Sequence, residues 1–243
     1  MRRCSSTPLS RPHAADPSAL SELAAEIVVC RLCPRLVAWR ERVAIEKVAR
    51  FADEPYWGRP LPGFGDPDAR VLILGLAPAA HGGNRTGRIF TGDRSGDFLC
   101  SALYTTGFAS QPTSVRADDG LVLTDAYLAA AVRCAPPMNR PTVVERDNCA
   151  PYLVRELAAL PRVGVIVALG AFGWDAALRT IGAIDVTSMS RPRPKFGHGA
   201  EAAIGRYQLI GSFHPSQRNT FTGRLRPPML EAVLRRAAEL AAT

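Results

Sequence analysis

Two uninterrupted apolar runs, VLILGLA at 71–77 and VGVIVALG at 163–170, limit what this chain can fold into more than anything else in it. A strand with one wet face alternates polar and apolar residues. A run that never alternates, bounded by turn residues, reads as a strand buried on both faces. RYQLIGSFHPS at 206–216 supplies a third strand with its loop, and 119–137 holds apolar runs for one or two more. Helical periodicity falls between them: 19–44, broken by Pro34; 95–107, with Ser95 as N-cap and Gly107 as stop; 141–160, with Pro141 in its first turn and a kink at Pro151; 171–182; and 227–240. Strands alternating with helices predict an α/β fold with a central, mostly parallel sheet and helices on both faces. Residues 18–243 are expected to form one domain, preceded by a flexible basic tail, 1–17. Ligands of such sheets bind beyond the carboxyl ends of the strands. GLAPAAH, RCAPP and SFHPS would therefore share one rim.

Composition narrows the partner. Lys plus Arg outnumber Asp plus Glu by 30 − 22 = +8, which favours a polyanion. Arginines gather with prolines and aromatics in 190–199 and 214–228, as a basic face requires. No apolar stretch approaches the roughly 18 residues of a membrane span, and the basic N-terminus has no apolar core for a secretory signal, so a cytoplasmic protein without membrane contact is expected. Neither G-x-x-x-x-G-K-[ST] nor G-x-G-x-x-G follows any predicted strand, which weighs against a nucleotide-binding protein.

Of six cysteines, Cys30 and Cys33 form a C-x2-C pair, and Cys134 and Cys149 a C-x14-C pair. Four thiolates brought together suit tetrahedral zinc or an iron–sulfur cluster. The second pair is too wide for a zinc-ribbon knuckle, which favours a cluster, and unrelated buried thiols stay open. Such a site would be a clamp, because four cysteines leave no open coordination position. Cys100, inside FLCSAL, reads as core, and Cys4 as part of the tail.

The longest motif is GLAPAAHGGNRTGRIFTGD, 75–93. With AAVRCAPPMNRPT (130–142), HPSQRNTFTGRL (214–225) and the four cysteines, it resembles the uracil-DNA glycosylase superfamily, specifically its iron–sulfur family 5. The resemblance runs from Cys30 to the C-terminal helix. It implies a three-layer α/β/α fold, a [4Fe-4S] cluster on Cys30, Cys33, Cys134 and Cys149, and a monomer that removes uracil or other deaminated bases from DNA.

Residue roles follow from the resemblance. Phe90 would stack on the extruded base, over a floor offered by Gly75, Leu76 and Ala77. Asp93, with the Gly92 carbonyl, would hold a water and face the oxocarbenium-like sugar; without the motif around it, an aspartate there reads first as a helix cap. His214 would donate to a carbonyl of the departing base. His81 stays open between the base pocket, backbone bonding and phosphate. The loop 217–222, with Gln217, Arg218 and Asn219, would wedge into the duplex. Arg85, Arg88, Arg218 and Arg224 are phosphate candidates, and Asp53, Glu54, Asp118 and Asp119 look solvated. One departure from the resembled pattern stands out: Ala130 occupies the position where the iron–sulfur family 4 enzymes and some family 5 members carry a uracil-reading asparagine. That predicts a broader pocket that also takes hypoxanthine or modified pyrimidines. The competing function is a non-catalytic, cluster-stiffened nucleic-acid binder.

Overall fold

A computed structural model describes residues 17–189 and 192–243. Helices α1 (Pro17–Val28) and α2 (Pro34–Glu46) precede strands β1 (Phe64–Gly65) and β2 (Val71–Gly75). Short α3 (Gly83–Thr86), α4 (Arg94–Thr105), β3 (Ala126–Ala130), α5 (Val143–Ala159), β4 (Val165–Leu169) and α6 (Gly170–Ile184) follow. The chain closes with β5 (Glu201–Ile204), β6 (Tyr207–Ser212), α7 (Gln217–Phe221) and α8 (Pro227–Ala241).

The six strands lie in the order β1-β3-β2-β4-β6-β5. The inner four are parallel and both edges antiparallel. The pleat explains the continuous apolar runs. Val71 and Ile73 face α4 and α8 through Leu99, Leu103, Leu230 and Leu234. Leu72 and Leu74 face α5 and α6 through Leu153, Leu157, Trp174 and Ile181. This is the expected three-layer α/β/α arrangement. Each enclosed Leu or Ile contributes about 1.5–3 kcal/mol of burial, so the layers hold the strand ends rigidly.

Several local expectations change. Pro34 does not break one helix; it sits in the first turn of the second, leaving Cys30 and Cys33 at the joint. Helix α4 is capped by Asp93, not Ser95. Helix α5 starts after a Thr142–Glu145 capping box, with Pro141 outside it, and runs on through Pro151. Segment 119–137 holds a single strand, with Leu123 bridged separately to Ala109. Residues 217–221 are helical rather than loop. The proposed tail lies outside the described residues apart from Pro17, which begins α1; Cys4 lies outside them too. Among the described residues no helix is long and apolar enough to cross a membrane.

Candidate active site

The carboxyl ends of β2, β3, β4 and β6 surround a cavity of about 340 Å³, within the range of small-ligand pockets. Gly75, Leu76 and Ala77 line it after β2, Ala130 at the end of β3, and His214 after β6. Phe90 and Asp93 reach it from the segment before α4. Phe90 is one of few non-glycine residues in the left-handed region, at φ 51°, a strained conformation of the kind that gathers at functional sites. A Cβ on Gly75 would lie 2.6 Å from the Phe90 ring. Glycine there lets the aromatic face rest across the end of the central strand.

Asp93 divides its two oxygens. Oδ1 accepts the α4 backbone N–H groups of Ser95 (2.9 Å) and Gly96 (3.0 Å). Oδ2 takes no protein donor among the described residues, and a Cβ on Gly82 would collide with it. Capping and catalysis, rivals in the sequence, are therefore compatible in one side chain. Burial pushes the Asp93 carboxyl above the ordinary carboxylate range, against the pull of the two N–H groups.

His214 lies opposite Phe90, with ring centroids 6.3 Å apart. Burial pushes its imidazole down to about 4, so the ring is neutral at neutral pH and carries one N–H donor. Its carbonyl accepts Asn219 Nδ2 at 2.8 Å, which makes Asn219 an anchor of the histidine loop. Gly170, at φ 87°, passes close to the His214 Cβ, 3.3 Å from where its own Cβ would be. His81 does not line the cavity; its Nδ1 meets Tyr56 Oη at 3.1 Å. Burial, then Arg85, lowers its pKa.

Two phosphate candidates are corrected. Arg85 is buried, paired with Glu54, and donates to the His81 (2.9 Å) and Gly92 (2.9 Å) carbonyls. Arg88 is buried against Asp119 at 2.8 Å, with Ser114 and Thr91 beside it. Both guanidinium groups brace the motif from inside and are not presented to a phosphate. Glu54 and Asp119 are accordingly ion-pair partners, while Asp53 and Asp118 are exposed as expected. Gly92 lines an adjoining groove instead of the cavity, and its carbonyl is occupied by Arg85. Gln217, Arg218 and Arg224 are exposed. Arg224 rests over the Phe213 ring at 4.4 Å. Part of the arginine-rich 190–199 segment is structural: Trp174 Nε1 donates to the Pro194 carbonyl at 2.9 Å, and the Phe213 N–H to His198 Nδ1 at 3.1 Å.

Two contributions were missed by sequence reasoning. The β4–α6 turn brings Gly170, Ala171 and Phe172 to the cavity, although the rim rule applied to every strand end would have found them. Asn139 reaches it as well, from a loop where Met138 and Asn139 both have φ 54°. The motif contained Asn139, but only the backbone turn brings this exposed residue to the cavity's edge.

The four cysteines meet in a second, much smaller cavity that Cys30, Cys33, Cys134 and Cys149 line together, with Tyr152, Asn148 and Arg133. Arg40 Nη1 donates to Cys134 Sγ at 2.9 Å and Asn148 Nδ2 to Cys33 Sγ at 3.4 Å. Burial pushes the Cys134 thiol up to about 12 and the Cys149 thiol to about 11. Among the described residues no three side chains form a group ready to hold a single metal ion. The donor set nonetheless fits a thiolate-ligated group: four cysteines line one small cavity, and two of their sulfurs already receive N–H bonds. Cys100 is core, as expected, 3% exposed and apart from these four.

The family model of the Uracil DNA glycosylase superfamily matches residues 62–238. The type-5 uracil-DNA glycosylase of Mycobacterium bovis is 54% identical over 224 residues, covering 91% of this chain and 82% of that protein. The type-5 enzyme of Thermus thermophilus is 51% identical, covering 88% and 95%. The type-4 uracil-DNA glycosylase of Archaeoglobus fulgidus is 31% identical, covering 64% and 70%.

Proposed function

This chain belongs to the uracil-DNA glycosylase superfamily, and on that premise we propose that it excises uracil from DNA by hydrolysing the N-glycosidic bond. The observation that carries the reading is the divided carboxylate of Asp93: one oxygen fixed by α4, the other without a protein donor among the described residues, on a side chain that lines a base-sized cavity.

A base inside a duplex lies out of reach, so the target nucleotide turns out of the stack into the cavity, at a cost of a few kcal/mol. Phe90 stacks on it and Gly75 to Ala77 form the floor. The bond from the sugar carbon to the base breaks as a bond to water oxygen forms. Asp93 Oδ2 orients that water, balances the positive charge on the sugar and receives the proton; its raised pKa makes it a better base than a solvated aspartate. The base departs as an anion. The neutral His214 ring donates its N–H to the carbonyl oxygen on which that charge develops. Asn139 is the one side-chain amide lining the cavity and serves as a second polar contact. Among the described residues no lysine lines the cavity, so the product is an abasic site with the strand intact. Exposed Gln217, Arg218 and Arg224 face the DNA, with α7 as the wedge.

Ala130 offers the base edge only a methyl group. The pocket therefore discriminates weakly among carbonyl-bearing bases and accepts hypoxanthine as well as uracil. Cys30, Cys33, Cys134 and Cys149 hold a [4Fe-4S] cluster, which when bound cross-links the α1–α2 joint to the β3–α5 segment. Matched duplexes carrying uracil, hypoxanthine or a normal base test the whole reading. Free base and an alkali-labile, unnicked strand are expected from the first two. Strict uracil preference would refute the broad pocket alone, and no base release from any duplex would refute the glycosylase.

A further inference from the structure

Helix α2 carries a cation with no carboxylate of its own. The Arg40 side chain is 2% exposed, and its Nε has no hydrogen-bond partner. Nη1 donates to Cys134 Sγ at 2.9 Å and Nη2 to the Cys30 carbonyl at 3.2 Å. The carboxylate it approaches, Glu41, lies 3.8 Å away, is 41% exposed, and makes its hydrogen bonds with Arg31 instead. A buried charge is strongly disfavoured unless an opposite charge stands beside it. Arg133, equally enclosed in the same region, meets that requirement with a buried partner, Glu156, 3.1 Å from its Nη1. Arg40 meets it only if the sulfur corner itself is anionic.

We propose that Arg40 is the internal counter-cation of the iron–sulfur group held by Cys30, Cys33, Cys134 and Cys149, and tunes that group's affinity for an electron. The proposal rests on the cluster reading given above. An N–H donor and a positive charge on a ligating sulfur favour the more electron-rich state, which raises the reduction potential. The same residue ties the sulfur corner to the glycine-rich segment: its carbonyl accepts Asn84 Nδ2 at 3.2 Å, and Asn84 is fully buried in α3. Arg40 touches no reacting atom, so it is a positioning residue.

Full-length wild type, Arg40→Lys and Arg40→Gln, purified without oxygen, test it by iron content, visible absorption, midpoint potential and rate of iron loss to a chelator. Arg40→Gln is expected to shift the midpoint potential to more negative values or to lose iron several-fold faster, and Arg40→Lys, which keeps the charge but not the fork, to fall between it and wild type. An iron-bearing Arg40→Gln with wild-type potential and iron retention overturns the proposal and leaves the cluster standing. Equal iron loss in both variants, with equal falls in thermal stability, also overturns it, because the residue would then act by packing alone. Iron-free, colourless wild type would remove the cluster reading and this proposal together.

Discussion

Asp93 and Arg40 are both charged groups taken largely out of water, and they lie at opposite ends of one construction. Arg40 is closed on every side, its two Nη groups bonded to a sulfur and a carbonyl. Asp93 is closed on one oxygen and open on the other. The enclosed charge has no room for a substrate and belongs to the scaffold. The half-satisfied one keeps an oxygen without a protein donor, on a side chain that lines a cavity and is held in place by the half that is bonded. The difference separates stability from chemistry: disturbing the sulfur corner should act through the fold, and disturbing the rim through the rate.

The largest stability effect is expected at the sulfur corner. On the cluster proposed above, Cys149→Ser removes one of its four cysteines, and metal binding of that kind is coupled to folding. Iron should be lost and the melting temperature should fall by more than about 8 °C, a drop of several kcal/mol for a chain this size. Metal analysis with calorimetry checks this; full iron with an unchanged melting temperature would break the contrast. At the rim, His214→Phe should lower single-turnover excision about 10²–10³-fold, as removal of one charge-stabilising donor does. It should also change the acid side of stability. The imidazole titrates near 6.5 when unfolded and at about 4 when folded. The unfolded state therefore binds more protons between those values, and stability falls as pH drops through that window. The variant should lose that part of the slope. His81 and His198, both also lowered, keep the remainder.

The smallest effect sharpens the comparison from a second helix cap. Thr142 caps α5 as Asp93 caps α4, but does not line the base cavity. Thr142→Ala should cost about 1 kcal/mol in denaturant unfolding and leave excision per folded molecule unchanged. A matching loss of activity would mean that helix caps govern the rate generally, and Asp93 would lose its distinction.

Much of this organisation was readable in the residues. The runs at 71–77 and 163–170 announced buried strands, the rim rule then brought the loops of Gly75 and His214 to one rim, and the family resemblance added Phe90, Asp93 and Ala130. Two cysteine pairs about a hundred residues apart in the chain do line one cavity. What could not be read was the fate of each charge. Arg85 and Arg88 look like surface cations until Glu54 and Asp119, each 31 residues away, are seen to enclose them. Burial of an arginine is decided by partners distant in sequence, and local pattern does not carry that information. Asp93 posed a choice between cap and catalyst because a sequence cannot show two oxygens pointing different ways. Asn139 depended on two successive left-handed residues that composition does not forecast.

The central claim is that Asp93 works with the oxygen it does not use for capping. Asp93→Asn separates the two roles, since asparagine caps helices about as well as aspartate. Single-turnover release of uracil from a duplex, measured beside the unfolding free energy of the same sample, tests it most directly. The account predicts a rate about 10²–10⁴-fold lower with stability changed by less than about 1 kcal/mol. Wild-type excision by a stably folded Asp93→Asn protein would contradict it and leave Asp93 a helix cap alone.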